Sequence, residues 1–165
     1  MQSKHEKTLE SILSWLKELQ NLRIEDINRE EQSFGIQLAS SNLDEHLPIY
    51  IIGLKDRDDI ILIGWIKLLH PSDKFYFQKV KRGKIEEMVQ NLSDSAASID
   101  MQINFKPTIE SPEYIESQKV VIVEGLTKVK LRMCINDSIM GLKLLKKALL
   151  HNLSIPSKFD ASSGI

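Results

Sequence analysis

The chain has 165 residues, of which 42% are hydrophobic and 27% are charged. These values are typical of one globular domain and exclude the polar, highly charged composition of disordered chains. Because 22 basic residues nearly balance 23 acidic ones, no overall field attracts nucleic acid or an anionic membrane, and such binding would need a local patch.

The amino terminus and the cysteine content bear on the cellular compartment. Lys17 and Glu18 lie where a signal peptide would need an apolar stretch, and no apolar run approaches the about 20 residues that span a bilayer. Cys134 is the only cysteine, which excludes an internal disulfide and multi-cysteine zinc motifs. We therefore expect a cytoplasmic protein without a membrane span.

The first element is an amphipathic helix over residues 4 to 21. Ser3 and Glu6 have the spacing of a capping box, and apolar residues then recur on one helical face at Leu9, Ile12, Leu13, Leu16 and Leu19. The polar segment Glu25 to Gln32 is interpreted as a connection. It leads to a strand in which Phe34, Ile36 and Leu38 alternate with smaller or polar residues.

Two apolar segments, Leu47 to Leu54 and Ile60 to Leu68, follow as central strands. A charged turn of hairpin length, Lys55 to Asp59, joins them. These strands place apolar residues on both faces of the predicted sheet, at Ile49, Ile51, Ile52, Ile60, Ile61, Leu62, Ile63, Trp65 and Ile66.

The spacing of apolar residues predicts a second helix over Lys84 to Ser95. Its start stays open, because Ser72 to Lys81 fits either the first part of this helix or, at Phe75 to Phe77, a strand. Gly83 is expected to break a helix that begins at Asp73.

The remainder is predicted to contain strands and a last helix. Ile99 to Phe105 alternates as a strand with one wet face, and Val120 to Val123 is a second strand. Glu124 and Gly125 are expected to turn the chain into a third strand over Val129 to Ile135. Asn136 or Asp137 then caps the last helix, whose apolar face contains Ile139, Met140, Leu142, Leu145, Leu149 and Leu153.

The predicted fold class is α+β. Residues 1–155 form one domain with a helix, three antiparallel strands, a helix, two to three antiparallel strands and a C-terminal helix, and residues 156–165 form a loose tail.

The motifs of common catalytic and binding sites are missing from the sequence. It contains no glycine-rich phosphate loop, and its histidines, His5, His46, His70 and His151, are too far apart in the chain for a zinc motif. Asp56, Asp58 and Asp59 lack the glycine and glutamate of a calcium loop, and Cys134 is predicted on a strand without a neighbouring histidine. We expect no catalytic site, no metal and no cofactor.

Two groups of basic residues form a candidate patch for phosphates. The first is Lys79, Lys81, Arg82 and Lys84, and the second, Lys128, Lys130 and Arg132, is predicted to line the polar face of a strand. No aromatic residues are interleaved for base stacking, which favours a solvated surface over a nucleic-acid site.

The order of elements from Ser3 to Leu153 resembles that of the type III secretion chaperone-like fold. The resemblance implies a compact α+β domain that forms homodimers and holds extended segments of a partner protein on exposed apolar surface, without hydrolysing nucleotide.

The sequence and this resemblance together favour a non-enzymatic protein-binding module, chaperone-like or an adaptor. The alternative is a nucleic-acid-associated protein that uses the basic patch, and a third class is an enzyme with a site assembled from dispersed residues. Apolar residues on both faces of the central strands predict a two-fold homodimer, because the helices cannot cover both faces.

Overall fold

The computed structural model describes residues 2–30, 33–40 and 49–153. In these residues the elements follow the order α1 (Lys4–Glu18), β1 (Leu22–Glu30), β2 (Ser33–Ser40), β3 (Ile49–Leu54), β4 (Arg57–Leu68), α2 (Pro71–Lys79), α3 (Arg82–Ala97), β5 (Gln102–Lys106), β6 (Tyr114–Ile122) and α4 (Lys128–Leu153). His46, the start of the predicted strand at Leu47, and the tail 156–165 lie outside the described residues.

The six strands form one antiparallel sheet in the order β1-β2-β3-β4-β6-β5. β4 is the longest strand, with 12 residues, and pairs with β3 on one side and β6 on the other. Antiparallel strands with helices before, between and after them confirm the predicted α+β class. Among the described helices, none is long and apolar enough to cross a membrane.

The helices cover one face of this sheet. On β3 and β4, Ile49, Ile51, Ile61, Ile63 and Trp65 are buried beneath them. α4 contacts β3, β4 and β6, while α3 packs on β5 and α1 packs on β1 and β2. Because successive side chains of a strand point to opposite faces, the residues between the buried ones face away from the helices. The hydrophobic core therefore lies in one layer, between the helices and one face of the sheet.

β1 corrects the interpretation of Glu25 to Gln32 as a connection, since residues 25–30 belong to a strand. β1 is an edge strand with a bulge between Ile24 and Asp26, and most of it is exposed on both faces. Such a strand needs no apolar alternation, and charged side chains along it prevent pairing with other chains. The polar residues of β1 suggested a loop, but they are also what an exposed edge strand requires.

A second correction concerns Val129 to Ile135, which are helical. Thr127 caps this helix, because its hydroxyl accepts a hydrogen bond from the N–H of Lys130 at 3.2 Å. The chain turns at Glu124 and Gly125 as predicted, but the predicted third strand is wrong, and α4 begins nine residues before Asp137. The buried residues of α4 recur three and four apart from its first turn onward, at Leu131, Cys134, Ile135, Ser138, Ile139, Leu142, Leu145, Leu149 and Leu153.

The segment whose state stayed open, Ser72 to Lys81, is mostly helical. α2 ends at Lys79 and α3 begins at Arg82, so the break falls at Val80 and Lys81 and not at Gly83. Val80 packs against the core, which sets the position of the break. Phe77 of α2 is buried edge-on against Phe105 of β5, with ring centroids 6.0 Å apart.

Trp65 attaches α4 to the middle of the sheet. Its indole Nε1–H donates a hydrogen bond of 3.0 Å to the carbonyl oxygen of Ser138. Gly141 lies beside this contact: a Cβ on Gly141 would lie 3.8 Å from that indole nitrogen and 3.4 Å from the sulfur of Met101, both at ordinary van der Waals distance.

Glycines in the sheet give a first test of this packing. A Cβ on Gly64 of β4 would lie 1.9 Å from the carbonyl oxygen of Ser117 on β6, whereas a Cβ on Gly35 would meet its nearest atom at 4.0 Å. We expect Gly64→Ala to lower the free energy of unfolding by about 3 kcal/mol or more, because backbone must move. Gly35→Ala should change it by less than about 1 kcal/mol. Urea unfolding of both variants measures the difference, and equal effects would contradict the strand spacing described here.

Candidate protein-binding surface

The face of the sheet that the helices leave open is apolar across β4 and β6. Ile66 is 40% exposed, Leu68 69%, Val120 61% and Ile122 59%. We call this surface, together with the half-buried side chains between them, the open face. Soluble chains seldom leave such residues adjacent to one another without an interaction that covers them.

The strand register makes the open face continuous. Ile52 of β3 lies opposite Leu62 of β4, and Leu62 lies opposite Val120 of β6. In the next row of this face, Ile60 lies opposite Ile122. Cross-strand neighbours of this kind are in side-chain contact, so these residues form one apolar surface and not isolated positions.

Polar residues border this apolar surface. On the side of β1 and β2 a groove of about 470 Å³ is lined by Asp26, Asn28, Glu30, Gly35, Tyr50 and Ile52. On β6, exposed Gln118 lies opposite Gly64 and half-buried Glu116 lies opposite Ile66, between Val120 and the row of Leu68. The open face therefore contains an apolar region at Ile60, Leu62, Val120 and Ile122 that polar residues border on both sides, and protein interfaces have such a composition.

Part of the open face follows from the sequence. The prediction that the central strands carry apolar residues on both faces includes Ile52, Ile60, Leu62 and Ile66, all of which lie on this face. Leu68, Val120 and Ile122 were missed as surface residues. Val120 and Ile122 could have been found from the uninterrupted apolar run 120–123, because a strand with one face in water would alternate apolar with polar residues.

The first basic group lies at the junction of α2 and α3 and is partly neutralised. Arg82 Nε is 2.9 Å from a carboxylate oxygen of Glu86 and 2.9 Å from one of Glu110. The Lys79 ammonium lies 4.1 Å from the ring centroid of Phe75. Lys81 and Lys84 are exposed.

The second basic group lies on a helix and not on a strand, which changes its geometry. Lys128 and Arg132 are one helical turn apart, whereas Lys130 points away from them. Lys128 also pairs with Glu18 at 2.7 Å. The premise that Lys128, Lys130 and Arg132 line one strand face is therefore wrong.

The two basic groups flank opposite ends of β6. Glu110, which binds Arg82, precedes the first residue of this strand, and Lys128 follows its last residue. Nine residues of extended chain span roughly 26 Å. The structure does not place the two groups side by side, and a role for either in binding nucleic acid stays a prediction.

Titratable residues between α4 and the sheet contribute to the packing of this helix on β6. Lys119 Nζ of β6 is 2.7 Å from Asp137 Oδ2 and 3.4 Å from the carbonyl oxygen of Ile99. Burial lowers the pKa of the Lys119 ammonium, but the hydrogen bond and charge of Asp137 raise it by more, so the pKa lies above its ordinary value. Burial raises the pKa of the nearby Cys134 thiol. That cysteine is buried and lies on α4, whereas the sequence predicted it on a strand.

Two of the histidines and aspartates singled out in the sequence, His5 and Asp59, are already held by hydrogen bonds. His5 is buried and its Nε2 forms a hydrogen bond of 2.6 Å with the carbonyl oxygen of Leu54. Asp59 binds Arg57 through both carboxylate oxygens, and this bond holds its pKa at about 2. In the part of the chain that the structure describes, no three histidine, cysteine or acidic side chains form a group that could hold a metal ion.

Comparisons with known proteins identify a family. A family model described as "Uncharacterized conserved protein (DUF2299)" matches residues 8–146, and the chain belongs to this family. No curated protein matches the chain in sequence.

Two solved structures are similar in fold. An uncharacterized protein from Methanothermobacter thermautotrophicus has a TM-score of 0.71 at 18% identity, over 88% of this chain and 99% of that one. YbjN from E. coli has a TM-score of 0.48 at 15% identity, over 88% of this chain and 93% of its own. At this identity the first likeness shows a shared fold, and the resemblance to secretion chaperones stays a prediction from the order of elements.

The Lys119–Asp137 pair predicts a pH-dependent contribution to stability. We expect Asp137→Asn to lower the free energy of unfolding by about 1 kcal/mol near neutral pH, since it leaves a largely buried ammonium without its anion. A raised folded pKa means that this stabilisation is complete below the ordinary value of 10.5 and is lost as the pH rises through the folded pKa. The difference in free energy of unfolding between the variant and the wild type should therefore narrow as the pH rises above 10.5.

Urea unfolding of the variant and the wild type, once near neutral pH and once above pH 10.5, measures this difference in the free energy of unfolding. Asp94→Asn is the control, because Asp94 is exposed and its side chain accepts a hydrogen bond from Gln90 on the same helix. If the stability difference between Asp137→Asn and the wild type widens at alkaline pH, the Lys119–Asp137 pair does not stabilise the protein in the way described.

Proposed function

We propose that this DUF2299 protein is a non-enzymatic protein-binding module and that its open face binds the same face of a second copy. The observation that carries the proposal is the exposure of Val120 and Ile122 on β6 and of Ile66 and Leu68 on β4, on a sheet whose other face is covered by helices. A chaperone-like or adaptor role, as predicted from the sequence, is consistent with such a surface.

The size of the open face supports a stable contact. Its four exposed side chains present roughly 400 Å² of apolar surface, and the half-buried neighbours and polar rim extend it towards the about 800 Å² per partner of a standard interface. Removing this apolar surface from water favours association, and the gain must outweigh the about 4–15 kcal/mol that the lost freedom of two copies costs.

The charge distribution supports a second copy as the occupant. The rows Ile52–Leu62–Val120 and Ile60–Ile122 carry no charged side chain, whereas Glu116 lies opposite Ile66, so a copy that pairs through these two rows buries no like charges there. A two-fold axis brings an apolar centre against an apolar centre and closes the assembly at two copies.

The non-enzymatic part of the proposal rests on how the polar residues are used. Lys119 and Lys67 lie on the face of the sheet that the helices cover, where Lys119 pairs with Asp137 of α4 and Lys67 Nζ is 3.9 Å from Asp73 Oδ2 of α2. These residues join helices to the sheet and do not converge on a cleft. The cytoplasmic location is retained as a prediction from the single cysteine.

Light scattering at micromolar concentration tests the pairing. We expect a mass of twice 18.9 kDa for the wild type. Val120→Asp should shift it towards 18.9 kDa, because it places a charge in the apolar centre of both copies.

Val129→Asp is the matched control, since Val129 on α4 is 54% exposed but lies on the opposite layer. It should leave the mass doubled. A wild-type mass of 18.9 kDa across the concentration range, or dissociation by the control but not by Val120→Asp, would refute the proposal. Circular dichroism confirms that each variant is folded.

A further inference from the structure

A second apolar surface runs along the outer side of α4. Val129 is 54% exposed, Met133 59% and Met140 48%, although the buried residues of the same helix lie on its opposite side. We call these three residues, with Asn136 between the methionines, the α4 stripe. No other helix of the described residues exposes as many large apolar side chains.

The spacing of the α4 stripe is that of a helix-packing seam. Its members follow one another at intervals of four, three and four residues, so they lie in one row along the helix. A partner helix can place its own side chains between them. Methionine suits such a site because its flexible, polarizable side chain adapts to the partner surface.

Cations flank the α4 stripe without neutralisation. The exposed residues Lys130, Arg132, Lys143 and Lys147 form no ion pair within the described residues. Asp137 is the only acidic residue of α4, and its carboxylate already binds Lys119. The outer side of α4 is therefore both apolar and strongly positive.

We propose that the α4 stripe binds an acidic amphipathic helix of another protein. The proposal rests on the protein-binding function and names the class of partner, but it uses a different surface from the open face. The apolar row requires an apolar row on the partner, and the flanking cations require carboxylates beside it.

A second copy fits the α4 stripe poorly. Two α4 helices would bring Arg132 and Lys143 of each copy against the same cations of the other. The acidic residues of α3, such as Glu86 and Glu87, are not accompanied by a large exposed apolar side chain. The chemistry of the stripe thus selects a partner that this chain does not itself supply.

A designed peptide tests the proposal directly. The probe is a labelled peptide of about three heptads with leucine in one row and glutamate on both sides of it, and the control peptide has lysine in place of glutamate. Fluorescence anisotropy at nanomolar peptide keeps the probe from pairing with itself. We expect the acidic peptide to bind with a dissociation constant in the micromolar range and at least about tenfold more tightly than the lysine peptide.

Two variants locate the binding. Met133→Glu and the double variant Arg132→Glu, Lys143→Glu should each weaken binding of the acidic peptide at least about tenfold, and added salt should weaken binding to the wild type. Val120→Asp should bind the peptide like the wild type because it changes only the open face. If the protein does not dimerise, peptide binding to the α4 stripe is unaffected. If the peptide does not bind, the dimer proposal is likewise unaffected.

Competing ligands decide the class of partner. Vesicles of phosphatidylcholine with phosphatidylserine and a DNA duplex are measured with the same variants. Equal binding of the acidic and lysine peptides, no binding of either, or tighter binding of vesicles or DNA that depends on Arg132 and Lys143 would overturn the proposal.

Discussion

The hydrogen bond from the indole of Trp65 to the carbonyl oxygen of Ser138 is the contact on which the rest of the structure depends. Among the described elements it joins the longest strand to the longest helix, and Gly141 of that helix lies beside the ring. A buried indole N–H without an acceptor is costly, so few other positions of α4 along β4 are compatible with this tryptophan. Once α4 lies on this side of the sheet, the two faces are no longer equivalent.

A second polar contact fixes the rotation of α4 about its axis. Asp137 precedes Ser138, and its carboxylate binds Lys119 on β6, the strand beside β4. Apolar packing alone tolerates small rotations, but two directional contacts from adjacent strands to adjacent helical residues do not. Val129 and Met133 then point away from the sheet because Leu131, Cys134 and Ile135 point towards it.

Much of this fold could be predicted from the sequence where local signals are strong. The capping box at Ser3 and the apolar run from Ile60 to Leu68 each specify one type of element, and α1 and β4 are found where expected. The start of α4 could not be assigned by alternation, because Leu131 and Ile135 are four residues apart and fit periods of two and 3.6 alike. β1 was missed because an exposed edge strand does not need the pattern by which strands are recognised.

The candidate surfaces were harder to predict than the elements. The sequence indicated that both faces of the central strands are apolar, but exposure of Leu68 and Ile122 depends on which face the helices cover. That choice is made by tertiary contacts between residues far apart in the chain, such as Trp65 and Ser138. The basic residues of α4 were noticed, whereas the apolar row between them was hidden by the assignment of that segment to a strand.

The two surfaces lie on opposite layers of the domain and differ in charge, which determines how they can act together. In the proposed pairing through the open face, α4 would lie on the outside of both copies, where its cations would remain in water and incur no desolvation cost. The proposed two-fold symmetry would then present the α4 stripe twice. A partner with two acidic helices on a linker of suitable length would bind the second stripe as an intramolecular step, so that two weak contacts together give a tighter complex. Separation of the two surfaces by the core thus makes self-association and partner binding compatible within one small domain.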